Sequence, residues 1–192
     1  MTAALCAAAW SCSSTDQQGS DTALGSGAVS LQLPGELYPA ASGLPAPTEN
    51  APISIGAGTV VCLSGPGAAT VVDVRARDAT SNFAIEGFAV RPNPSLKGQN
   101  QLGDIRGSLY DAGFDPTADE VDMACHSVDG AGYEVGVQLA RTGPGVATSH
   151  GFEVVWRSGE QTGTLFIPLA VLLCDAPTAF AKRCDANALL PA

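Results

Sequence analysis

An alternation of apolar and polar residues, broken at short intervals by turn residues, limits what this chain can fold into. Tyr133, Val135, Val137 and Leu139 stand against Glu134, Gly136 and Gln138, and Phe152, Val154 and Trp156 stand against Glu153 and Arg157. A period of two sends successive side chains to opposite faces of an extended strand. Between such runs lie Ser64-Gly65-Pro66-Gly67, Arg91-Pro92-Asn93-Pro94, Asp129-Gly130, Thr142-Gly143-Pro144-Gly145 and Ser158-Gly159. Glycine supplies positive φ and proline presets a turn φ, so these are chain reversals. No segment carries a helical period, and the tail from Pro177 to Leu190 has room for one short helix at most.

Further strands are expected at Val29–Leu33, Thr59–Leu63 and Val72–Ala76, the last with Val72, Val74 and Ala76 inward. Phe83–Val90 makes another, with a bulge at Gly87 where the apolar phase shifts. Val121, Met123 and Cys125 form one more. The final strand, Thr164–Cys174, is apolar on both faces, as expected where one side lies under another element or an interface. Pro168 within it lacks a ladder donor and implies an edge position or a bulge. About seven short strands, with turn signals every 8 to 15 residues, predict an all-β antiparallel two-sheet sandwich of Ig-like architecture. The immunoglobulin signature itself is missing, since no Trp lies between Cys62 and Cys125. The turn Gly65-Pro66-Gly67-Ala68-Ala69-Thr70 is echoed by Gly143-Pro144-Gly145-Val146-Ala147-Thr148, which reused turn chemistry explains.

Composition divides the chain into four parts. Residues 1–12 form an apolar leader, 13–27 a polar tether that offers almost nothing to bury, and 28–56 an extended approach rich in Pro, Ala and Gly. Residues 57–192 form the β-sandwich domain. Within it the connection 92–118 is long enough to be functional or partly structured. The net charge is −10, with only 15% of residues charged. That balance repels nucleic acid and anionic lipid surfaces.

Four cysteines fall in the domain: Cys62, Cys125, Cys174 and Cys184. An even number suits two disulfides in an oxidising compartment. Three pairings are open. The short spacing of Cys174 and Cys184 favours a staple from the tail to the last strand, which leaves Cys62 with Cys125.

The N-terminal segment carries a resemblance. Met1–Trp10 is an apolar run of about 10 residues, half the length a spanning helix needs. Cys12 follows, flanked by Ala9, Ser11, Ser13 and Ser14, and a polar stretch continues to Gly27. This resembles the start of an exported bacterial lipoprotein of the small kind found in GC-rich Gram-positive bacteria. The first basic residue is Arg75, so either the true start lies upstream of Met1 or the segment is an Ala-rich N-terminus and no leader. The resemblance covers these 27 residues and implies export, cleavage before Cys12 and a lipid anchor (diacylglycerol and palmitate) on its sulfur at the outer face of the cell membrane. It specifies no fold.

Motifs for catalysis are sparse. G-x-S-x-G, H-E-x-x-H, the phosphate-binding loop and the dinucleotide fingerprint are all absent. Met123, Cys125, His126 and His150 offer soft ligands that suit copper, but in an order unlike a blue-copper site. Asp111, Asp115, Asp119, Glu120 and Asp122 offer hard oxygens for calcium without EF-hand spacing. His126 or His150 with Ser127 or Ser149 is the material of a hydrolase triad. The amide-rich loop 92–118, with Asn93, Lys97, Gln99, Asn100, Gln101, Asp104 and Arg106, suits recognition. The expectation is a non-catalytic cell-envelope lipoprotein with a binding or structural role, no cofactor, and an envelope protein or glycan as partner. A calcium- or copper-handling protein and a hydrolase are the alternatives.

Overall fold

The computed structural model describes residues 29–35, 39–93, 103–126, 132–176 and 184–190. Cys12, the leader, the tether, Ser127, the Asp129-Gly130 turn and the amides from Lys97 to Gln101 lie outside these. In chain order the first strands are β1 (Leu31–Gln32), β2 (Ala40–Pro45), β3 (Ile53–Leu63) and β4 (Ala69–Ala76). Then come β5 (Phe83–Pro92), β6 (Asp104–Arg106), β7 (Glu120–Val121) and β8 (Tyr133–Arg141). The last are β9 (Ala147–Ser149), β10 (Phe152–Ser158), β11 (Gln161–Ile167) and β12 (Leu169–Cys174), followed by a 3-10 turn at Ala186–Leu189.

The chain is all-β, and the strands of the described residues form three sheets where two were expected. One runs β1-β3-β8-β5, with β6 also on β3; a second runs β11-β10-β4-β7; a third runs β2-β12-β9. Pro168 explains the extra sheet. The expected strand Thr164–Cys174 breaks there into β11, which pairs with β10, and β12, which pairs with β2 and β9. Without an N–H, Pro168 cannot carry one ladder through, while its carbonyl accepts from the Ala40 amide at 3.0 Å. The β2–β12 pairing is parallel, from Leu169 opposite Ala40 to Cys174 opposite Pro45. The stretch 28–56, expected to be a mostly irregular approach, thus supplies β1, β2 and the start of β3, and buries Val29, Leu31, Leu44, Ile53 and Ile55.

Two bulges set which side chains point inward. In β5 the register passes from Ile85 opposite Leu139 to Gly87 opposite Gln138, so Glu86 is the extra residue beside the expected break. In β4 it passes from Asp73 opposite Val155 to Val71 opposite Trp156, which leaves Val72 unpaired. Val72 is therefore 42% exposed and Val71 buried, the reverse of the simple alternation. All three sheets feed one core: Val61 and Leu139 from the first, Phe152 and Ile167 from the second, Val171 and Leu173 from the third. Each such side chain, fully withdrawn from water, contributes about 1.5–3 kcal/mol.

β8 is buried on both faces. Val135, Val137 and Leu139 enter the core, while Leu109, Ala112 and Phe114 of the 108–114 turn cover the other side, packing also on Ala89 of the neighbouring β5. A Cβ at Gly136 would lie 2.7 Å from Phe114 Cζ, so only glycine leaves room for this cover. The described part of the long connection is thus packed down on the sheet. Beneath it, the buried Glu134 carboxylate takes Arg91 at 2.7 Å, and the Arg91 guanidinium lies 4.3 Å from the Phe114 ring centre.

Cys62 is joined to Cys125, and Cys174 to Cys184, with Cα separations of 4.9 and 5.5 Å. The first ties β3 to the segment after β7. The second holds the C-terminal segment against β2 and β12. A Cβ at Gly43 would overlap the Cys184 carbonyl, so this segment crosses β2 where the strand has no side chain.

Candidate functional site

The turn after β4 and the turn between β9 and β10 are locked together by backbone hydrogen bonds. Arg77 N donates to Gly151 O at 2.9 Å, and His150 N donates to Arg77 O at 2.8 Å. Ser149 Oγ reinforces the junction by donating to Gly151 O at 2.8 Å. Gly151 has φ +138°, and a Cβ there would meet the Phe166 ring at 2.6 Å. The Phe166 ring therefore lies against bare backbone, a packing that only glycine permits. Over the same ring the Arg77 guanidinium carbon sits 4.7 Å from its centre.

Phe166 is one wall of a groove of about 440 Å³ at the junction of the second and third sheets. Its apolar lining comes from Pro39, Phe166, Pro168, Ala170, Leu189 and Leu190; its polar groups are Arg77, Asp78 and His150. This volume, largely apolar lining and small set of convergent polar groups match a ligand site. Asp78 is held in the left-handed region with φ 48°. Its carboxylate lies 3.7 Å from Arg77 Nε, beyond hydrogen-bond length, and its side chain is 75% exposed. The Arg77 guanidinium has no hydrogen bond to any described residue. Leu189 and Leu190 reach the groove on the segment that Cys184 ties to Cys174.

Among the described residues, those expected from sequence to form metal or catalytic centres do not come together. Cys125 is bonded to Cys62, and Met123 Sδ accepts from the Gly132 amide at 3.1 Å. His150 is at the groove, and His126 lies beside Cys125. Ser149 is fully buried, with its hydroxyl engaged by backbone, so it has no free nucleophile to offer. Three of the acidic residues face separate partners. Asp111 accepts from Ser108 Oγ at 2.7 Å and from its amide at 2.9 Å, and Asp115 accepts from Thr117 Oγ1 at 2.7 Å and from its amide at 2.9 Å. These hydroxyl and amide donors hold both carboxyls below the usual carboxylate range. Asp122 accepts from Tyr133 Oη at 2.5 Å. Burial first, and then this carboxylate, push the Tyr133 phenol up to about 12. Among the described residues no group of three or more His, Cys, Asp or Glu is placed to hold a metal ion, and no helix is long and apolar enough to cross a membrane.

Arg77, Asp78 and Phe166 escape a sequence reading because the groove draws on five separate segments. Two signals pointed toward it: the run around Phe166 is apolar on both faces, and Leu189 and Leu190 are large apolar residues in a tail with few others. No protein-family model, no curated protein and no solved structure matches this chain, so its fold and its groove stand on its own residues.

Proposed function

We propose that this chain is an exported, non-catalytic binding domain, anchored through a lipid on Cys12 at the outer face of the cell membrane, with the Arg77–Phe166 groove as its ligand site. We read the first two sheets as the layers of a sandwich with Ig-like architecture, and the third as closing one end. One observation carries the reading. The Cys174–Cys184 bond secures the segment that supplies Leu189 and Leu190 to the groove, so the site depends on a bond that oxidising compartments maintain. The acidic surface, with net charge −10, fits a soluble exported domain and disfavours nucleic acid. The chemistry of the Cys12 neighbourhood supports the anchor, and an envelope component presenting an apolar group is the partner.

The test is an intact mass of the protein made in a Gram-positive host from its full reading frame. A chain beginning at Cys12 with added diacylglycerol supports the reading. An unprocessed, unlipidated chain in the cytoplasm overturns it.

A further inference from the structure

The chemistry of the groove narrows what it can hold. Its apolar walls exclude a wholly polar ligand, because burying unpaired polar groups there costs more than it returns. Its polar end is dominated by one cation. Arg77 is among only nine Lys and Arg in a chain with 19 acidic residues, and the Phe166 ring covers one face of its guanidinium. Stacking fixes the plane of the guanidinium while leaving its N–H edge open, the arrangement that receives a planar anion through two parallel hydrogen bonds. Asp78 does not satisfy that edge, since it approaches Nε at 3.7 Å and is mostly solvated. His150, on the same rim, presents an imidazole as a further donor.

We propose that the groove binds an amphiphilic monocarboxylate, with its carboxylate on the Arg77 guanidinium and its apolar portion along Phe166, Pro168, Leu189 and Leu190. This rests on the groove being the ligand site. A dianionic phosphate fits less well, with one guanidinium to neutralise it and the Asp78 carboxylate close by. A cationic amphiphile meets Arg77 directly. A neutral one leaves the guanidinium partly desolvated with only the long, solvated contact to Asp78.

The experiment is calorimetric titration of the oxidised, full-length chain with decanoate, decanol and decylamine, the ionic two below their micelle concentrations and decanol below its solubility limit. Arg77→Gln and Arg77→Lys are titrated in parallel, and their thermal unfolding confirms that the exposed substitutions leave the fold intact. Decanoate should saturate a single site. Decanol should bind more weakly and decylamine not measurably. Arg77→Gln should weaken decanoate about ten-fold or more, and Arg77→Lys should recover only part of that. Equal binding of decanoate and decanol, or wild-type decanoate affinity in Arg77→Gln, overturns the carboxylate assignment while leaving the groove as a site. Saturation by none of the three overturns both.

Discussion

Removing each disulfide in turn, by Cys62→Ala with Cys125→Ala and by Cys174→Ala with Cys184→Ala, should cost unequal amounts of stability. The first bond closes a loop with sequence separation 63, the second one of 10. The loop-closure relation gives about 4 kcal/mol for the long loop and about 3 kcal/mol for the short one at room temperature. For a domain of this size about 3 kcal/mol lowers Tm by roughly 6–12 °C. The structural consequences differ as well. The long loop spans β4 to β7, so its loss should lower global stability throughout. The short loop holds a terminal segment, so its loss should also release residues 184–190 while the core of Phe152, Leu139 and Leu173 stays protected. Urea unfolding followed by Trp156 fluorescence reads the first quantity, and amide hydrogen exchange reads the second. The reasoning is refuted if the short-loop pair costs as much as or more than the long-loop pair, or if the terminal segment keeps full protection without its bond.

Gly43→Ala should lift that same segment, because the new methyl overlaps the backbone carbonyl of Cys184, which cannot swing aside as a side chain would. About 1–3 kcal/mol of destabilisation is expected, with faster exchange in residues 184–190; Gly65→Ala, with open space around it, should leave the urea midpoint within about 0.5 kcal/mol of wild type. Arg91→Met should cost about 3 kcal/mol or somewhat more in urea unfolding, since it takes the cation from the buried Glu134 carboxylate. The Tyr133 phenol should ionise near pH 12 in a spectrophotometric titration, and Asp122→Asn should bring it down. Because its folded pKa is raised, Tyr133 contributes stability that is full below about pH 10 and is lost as pH rises through the folded value.

Local alternation made β8 and β10 legible, because a strand with one face on the core must repeat every two residues. The phase shift beside Gly87 likewise located the β5 bulge. The same logic misplaced Val72: a bulge that leaves no glycine in the strand has no mark in a local pattern, and only the pairing with β10 shows it. The third sheet was hidden for two reasons. Pro168 was recognised as a break without any indication that the chain changes partners there. β2, Ala-Ala-Ser-Gly-Leu-Pro, has little intrinsic strand preference and is held by parallel pairing to residues far along the chain. The groove was illegible for the same reason: Arg77 and Phe166 meet through turn-to-turn hydrogen bonds between segments whose contact no local pattern announces.

Peptide mapping under non-reducing conditions, on protein taken directly from the expressing cell, tests the account most directly. The prediction is two cross-linked peptide pairs, Cys62 with Cys125 and Cys174 with Cys184, with none of the four alkylated before reduction. Recovery of these four cysteines as free thiols, or in another pairing, would contradict it.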